Sequence, residues 1–295
     1  MKVRFAVAPG GPGFDPDGFA ELVDGLEAHR FDTLWLSDVP LADTVDPLVG
    51  LAYAASRTRR LKLGANIVPL GRNPFLLAKE LAQVDRLSAG RVLLSLVPGL
   101  DQPGEREALG IGRANRGAFL DEIIPLLRRW WSGEPVDHRS ERFNFSGLAV
   151  RPTPVQEPLE IWLGGVGPAA LARAGRLADG WLGAAVTPDE AAAARVRIQE
   201  AAEDEGRQID PEHFGLSIGY ARSAPSEATL AALAARRPDV DPADLIPTGR
   251  DGLRALVSRH IDAGLSKFVL RPTTPIESWD AELTWLRDAI HDLES

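Results

Sequence analysis

Asp38, Asn66, Arg72, Arg271 and the run Gly164-Gly165-Val166-Gly167 are the residues whose type and place in the sequence could do chemistry. Asp38 directly follows the apolar run Leu34-Trp35-Leu36-Ser37, so a carboxylate stands where a buried strand ends. In parallel α/β proteins that end of the strands is where ligands bind, although an aspartate there could also cap or turn the next loop. Asn66 lies inside the otherwise apolar Leu63–Val68. A buried amide needs hydrogen-bond partners, which a ligand or a distorted backbone would supply and an apolar barrel core would not. Gly164 through Gly167 precede Pro168-Ala169-Ala170, a glycine turn that opens a helix. Glycines let backbone approach a bound group, and amides at a helix start suit an anion such as phosphate; tight turning alone remains open. Gly165, Gly167 and Ala170 satisfy G-x-G-x-x-A, but no carboxylate closes the next strand, Gly180–Ala184, to hold a ribose. Arg72 and Arg271 are candidate anion clamps, or solvated surface charges.

Other chemistries lack their parts. The five histidines, His29, His138, His213, His260 and His291, are scattered and form no metal-binding pair, so no metal site is expected. There is no cysteine, no G-x-S-x-G elbow and no Walker loop.

The elements that must position these residues repeat one alternation. Residues 60–99 hold the clearest unit. It runs from an apolar strand over Leu61–Val68, through a helix from Pro74 with Leu77, Leu81, Val84 and Leu87 on one face, to a second strand, Val92–Val97. Strands are also expected at Val3–Ala8, Thr33–Ser37, Glu160–Gly164, Gly180–Ala184, Phe214–Ala221 and Lys267–Leu270. Between them helices are expected from a cap at Asp15 or Asp17 through His29, and at Pro47–Arg57, Asn115–Trp131, Pro168–Leu177, Asp189–Glu205, Asp251–Ala263 and Ile276–Leu293, with a broken helix over 226–246. Residues 132–158 interrupt the pattern with a small hairpin and a proline-rich return. The expected fold is α/β, a (β/α)8 TIM barrel formed by residues 1–295 as one domain, with a small insertion after the fourth helix at about 132–158.

With 25% charged and 44% hydrophobic residues the chain has the composition of a globular protein, and a net charge of −9 without a basic run argues against nucleic acid as a partner. No segment approaches the ~20 apolar residues of a membrane span. Val3–Ala8 is too short for a signal-peptide core, so the expected location is cytoplasmic.

The sequence resembles the bacterial luciferase-like monooxygenase family, in particular its F420-dependent oxidoreductase branch. The resemblance is carried by Leu63-Gly64-Ala65-Asn66-Ile67, Arg72-Asn73-Pro74, Leu87-Ser88-Ala89-Gly90-Arg91, Arg116 and Phe119, Arg151-Pro152, Ile161-Trp162-Leu163-Gly164-Gly165 and Ala178-Asp179-Gly180-Trp181. It implies a barrel that binds coenzyme F420, or alternatively FMN, at its C-terminal mouth. The cofactor contacts it implies are Asp38, Asn66 and Ile67 behind the ring, Val97, Pro98 and Gly99 after the fourth strand, and Gly164, Gly165, Val166 and Gly167 near the phosphate. It also implies a cis peptide between Asn66 and Ile67, and a homodimer.

Where sugar-phosphate dehydrogenases of this family carry a histidine and a glutamate, this sequence has Val39 and Leu100, with Asp101 one step along. A base to take a proton from an alcohol is therefore missing. The expected reaction is hydride transfer from reduced deazaflavin to a small organic substrate with an activated C=C, C=N or C=O, with Asp38 and Asp101 as candidate catalytic groups. An FMN-dependent monooxygenase and a non-catalytic cofactor-binding protein are the alternatives. Substrate contacts are expected from residues 10–14, 39–45, 100–114 and 222–250.

Overall fold

Proline at the first helical position, preceded by a capping side chain, starts much of the helical layer. Asp15, Asp46 and Asn73 each accept two hydrogen bonds from the first-turn amides of the helices they cap. A computed structural model describes residues 1–10, 13–100, 102–112 and 115–295. In chain order its elements are β1 (Arg4–Val7), α1 (Pro16–Ala28), β2 (Thr33–Ser37), α2 (Pro47–Arg57), β3 (Lys62–Ile67), α3 (Pro74–Leu87) and β4 (Val92–Leu96). There follow α4 (Glu105–Ala108), α5 (Arg116–Trp131), β5 (Val136–Arg139), β6 (Asn144–Leu148), β7 (Ile161–Leu163), α6 (Pro168–Leu177), β8 (Gly180–Ala184) and α7 (Pro188–Glu203). The chain ends with β9 (Phe214–Tyr220), α8 (Glu227–Arg236), a 3-10 turn at Pro242–Asp244, α9 (Gly249–Asp262), β10 (Lys267–Pro272) and α10 (Trp279–Ile290). Eight of the strands form a closed barrel in the order β1-β10-β9-β8-β7-β4-β3-β2, the expected (β/α)8 fold, while β5 and β6 form a separate antiparallel pair within the expected insertion. Among the described residues no helix is long and apolar enough to cross a membrane.

The chain divides into two compact units, Leu36–Ile161 and the remainder. Within Leu36–Ile161, β3 and β4 pair in parallel from Leu63↔Val92 to Ile67↔Leu96. Leu36 points to the helices: a Cβ added to Gly50 in α2 would stand 2.6 Å from Leu36 Cδ1. Alternation then turns Ser37 inward, and Asn66 joins it on that face by donating to Ser37 Oγ at 3.3 Å. Ser95, the register partner of Asn66, shares the face. The Leu-Ser-x-Gly-Arg string has a structural task here. Arg91 donates to the carbonyls of Ala55, Thr58, Leu61 and Ser88 and to Thr58 Oγ1, tying the end of α2 to the starts of β3 and β4.

In the other unit β10 pairs with β1 and β9 in parallel, and Phe5 stacks on its register partner Phe268 with ring centroids 5.6 Å apart. Trp181, fully buried in β8, donates its indole N–H to the Gly165 carbonyl at 2.9 Å, so the Ala-Asp-Gly-Trp string braces the glycine turn.

Two expectations change. The glycine-rich, acidic stretch 99–112, which the sequence reads as a loop before the helix at Asn115–Trp131, contains the short helix α4, whose four residues are too few for a periodic signal. The Asn66–Ile67 peptide is trans; among the described residues the cis bonds are Arg151–Pro152 and Glu157–Pro158. The ladder is regular here: the Asn66 carbonyl accepts from Asp38 N–H at 2.8 Å and the Ile67 carbonyl from Val97 N–H at 3.0 Å. A cis bond would break both pairings.

Candidate active site

The chain past β2 turns at Asp38, whose side chain is 7% exposed. Its Oδ2 accepts from the Val68 backbone N–H at 3.1 Å and from Arg72 Nη2 at 2.9 Å. The carboxylate therefore fastens the end of β2 to the loop between β3 and α3. Helix capping is not its task, because Asp46 caps α2. Arg72 Nη2 also reaches Asp46 Oδ2 at 3.2 Å, so one guanidinium brackets both ends of the loop 39–45. Burial pushes the Asp38 carboxyl up from its usual value, and the charge and hydrogen bond of Arg72 and the Val68 N–H pull it back only in part. Among the described residues hydrogen bonds engage Oδ2 alone, which leaves Oδ1 as an acceptor at the strand end.

Asn66 and Ile67 lie on β3 as expected, Asn66 half-buried and Ile67 buried. The buried Ser95 hydroxyl beside Asn66 on the inward face has no hydrogen-bond partner among the described residues. A buried orphan of this kind is a feature that a bound polar group can satisfy.

The loop after β4 is fixed by a pair that the sequence reading did not assign. Glu105, 3% exposed in its side chain, accepts from both terminal nitrogens of Arg116 at 3.2 Å. Its other oxygen accepts the Leu100 N–H at 3.1 Å, while Arg116 donates to the Pro98 carbonyl at 2.8 Å. Val97 packs against the cluster of Val68, Leu70, Phe119 and Ile123, and Gly99 has φ +84°. The expected contacts Val97, Pro98 and Gly99 thus form one braced turn. Only the acidic character of 99–112 hinted at it, since no sequence spacing links Glu105 to Arg116. Gly71, with φ +78°, lets the loop after β3 lie against this segment: an added Cβ would meet the Leu109 carbonyl oxygen at 2.3 Å. Asp101 lies outside the described residues.

In the other unit, Gly164 to Gly167 link β7 to α6, and Gly165 through Gly167 are exposed. Gly165 has φ +101°, and an added Cβ would meet Ala170 Cβ at 2.8 Å. Gly167 has an ordinary φ of −72°, caps α6 without a side chain, and an added Cβ would meet nothing within 4 Å. One glycine is required by the turn, and the other leaves open space before the first helical amides. Arg271 sits near the end of β10, where burial lowers its pKa. A cavity of about 410 Å³ lined by residues including Arg128, Trp131 and Gln156 adjoins the segment leading into β7. It precedes the strand, whereas the groups above follow strands, so the candidate site is placed at the latter.

Leu36–Ile161 provides a fixed carboxylate with one open oxygen and an orphan hydroxyl, and the other unit provides an uncrowded turn before a helix. The first two suit the polar edge of a ring system and the last suits an anionic group such as phosphate, and within each unit they follow the ends of strands. The deazaflavin expected from the sequence carries groups of both kinds.

Residues 1–266 match the family described as Luciferase-like monooxygenase. The F420-dependent glucose-6-phosphate dehydrogenase of Nakamurella multipartita is 28% identical over 191 residues, 61% of this chain and 56% of that protein. The chain spans 52% to 61% of the length of the curated relatives it matches. Among solved structures, the coenzyme F420 dependent tetrahydromethanopterin reductase of Methanopyrus kandleri superposes with a TM-score of 0.81 at 19% identity, covering 100% of both chains. A monooxygenase from Streptomyces bottropensis superposes with a TM-score of 0.80 at 21% identity, covering 98% of this chain and 99% of that one. The two structures share the fold, and the match over residues 1–266 carries the assignment: the chain belongs to the luciferase-like monooxygenase family.

Proposed function

We propose that this protein is an F420-dependent oxidoreductase that transfers a hydride from reduced deazaflavin to a small organic substrate with an activated C=C, C=N or C=O. The observation that carries the reading is the Asp38 carboxylate at the end of β2, fixed through Oδ2 by Val68 N–H and Arg72 with Oδ1 open. The names of its relatives support the cofactor.

In this reading Asp38, Asn66 and Ile67 hold the ring from one side, the turn Val97-Pro98-Gly99 borders it, and Gly164 through Gly167 take the phosphate. Bound F420 supplies a two-electron hydride chemistry that no side chain offers. The chain's own residues orient it and exclude water. Val39 and Leu100 offer no base for alcohol oxidation, which favours reduction. Asp101 is the candidate proton donor, and Arg271 a candidate clamp for an anionic group of the cofactor. Arg72, engaged by two carboxylates, serves better as a brace than as a clamp.

The reading extends to one domain over residues 1–295 acting in the cytoplasm as a homodimer. Apolar Val49, Leu76 and Leu87 on α2 and α3 are 66%, 53% and 69% exposed, which supports the last point. Fluorescence titration of the purified protein with F420 and with FMN tests the cofactor. Saturable binding of F420 is expected, and binding of FMN alone would replace this reading with the monooxygenase.

A further inference from the structure

The loops after β2 and β4 meet. A Cβ added to Gly104 would stand 3.7 Å from Leu41 Cδ1, so the end of the Leu41 side chain already lies against Gly104. Leu41 is 48% exposed and Leu100 52% exposed, both on segments that follow barrel strands. Neither is a mobile ornament. The Leu100 N–H is held by buried Glu105, and Arg72 brackets the loop that carries Leu41 by holding Asp38 and Asp46 at its two ends. Val39, immediately after Asp38, adds a third apolar side chain.

Among the described residues of these two segments and the loop after β3, the arginines are committed. Arg72 is engaged by Asp38 and Asp46, Arg116 by Glu105 and the Pro98 carbonyl, and Arg106 by the Gly112 carbonyl at 3.1 Å. A phosphate or carboxylate entering here would lose water while facing leucine side chains and the Asp38 carboxylate, with each of these guanidinium groups already paired. An uncharged apolar molecule would instead cover Leu41 and Leu100 and gain by burying them.

We infer that Val39, Leu41 and Leu100 form an apolar rim that selects an uncharged, apolar ketone, enone or imine over a substrate bearing phosphate or carboxylate. This rests on the F420 reading given above. In the reaction the substrate gains a hydride at carbon and a proton at oxygen, nitrogen or the α-carbon. The reduced cofactor is oxidised by loss of the same two electrons and two hydrogens.

The test measures oxidation of reduced F420 with matched pairs of cyclic enones and ketones, one neutral and one carrying a carboxylate. It uses the native protein and the variants Leu41→Asp and Leu100→Asp. The neutral member should have a kcat/KM higher by about tenfold or more, and each variant should lower that value by a similar factor. F420 affinity and Tm should stay unchanged in both variants. Turnover of none of the neutral compounds, equal or faster turnover of the charged members, or variants that leave the preference intact would overturn the inference. A native protein that binds no F420 would overturn the cofactor reading itself, and that result is distinct because it is seen before any substrate is added.

Discussion

Arg72, on the loop that joins β3 to α3, places Nη2 2.9 Å from Oδ2 of Asp38 at the end of β2. The two residues are far apart in sequence, and each had been a candidate for meeting a ligand. Their pairing divides the tasks: Arg72 holds the carboxylate and the loop 39–45, and Asp38 presents its remaining oxygen.

The Asp38 carboxyl holds its proton more firmly in the folded protein than in the unfolded chain, because burial outweighs the help of Arg72. The folded state then binds more protons as the pH crosses the carboxylate range from the unfolded value of 3.8 upward, and this group's contribution to stability is lost as pH rises through the folded pKa. Asp38→Asn cannot titrate. Relative to the variant, the native protein should lose stability over the interval that begins at 3.8 and runs upward through the folded pKa. Thermal melts of both proteins across that interval check this, and a native protein that gains on the variant would mean that Arg72 dominates.

Gly167→Val should leave Tm unchanged, since its φ is ordinary and a Cβ has free space. It should nevertheless weaken F420 binding by crowding the helix start. Gly165→Ala should do the opposite first, destabilising the apo protein by about 1–3 kcal/mol through its left-handed φ and the contact with Ala170. Denaturation curves and cofactor titrations of the two variants separate the roles.

Glu105→Gln leaves the Arg116 guanidinium, 10% exposed, without its carboxylate. Breaking a buried pair from one side costs about 3 kcal/mol. The chemical denaturation midpoint should fall accordingly. Proteolysis within 98–112 should also become faster than at other loops, since the Leu100 and Pro98 anchors loosen together.

His260 in α9 is fully buried and neither ring nitrogen has a hydrogen-bond partner among the described residues. Burial, and then the Arg259 charge, push its pKa down to about 4 from 6.5. The neutral ring suits the core, so stability is intact above the unfolded value and falls as pH drops from 6.5 towards 4. His260→Leu should abolish that decline and stabilise the protein by about 2–3 kcal/mol near pH 4. A variant whose pH profile parallels the native one would show that other groups set the acid limb.

The barrel was legible because its elements are periodic and punctuated. The apolar runs of β3 and β4 flank a helix with Pro74 at its start, Asp15 is the cap of the two aspartates open to that task, and the helix expected from Asn115 begins there. Strand ends told where Asp38 stands but not what it touches, because Arg72 and Val68 come to it through loop geometry. Glu105 was hidden for the same reason, in a helix of four residues that meets Arg116 only after folding. At Asn66 the expectation of an unusual peptide failed. The ladder to Asp38 and Val97 is complete, and the amide finds Ser37, a partner on the neighbouring strand.

Titration of the purified native protein and of Asp38→Ala with F420, followed by cofactor fluorescence, tests the central claim most directly. The account predicts saturable binding to the native protein and a dissociation constant at least about tenfold weaker in the variant, a loss of ~1.4 kcal/mol, with Tm showing that the fold persists. An unchanged dissociation constant, or no binding of F420 by the native protein, would contradict it.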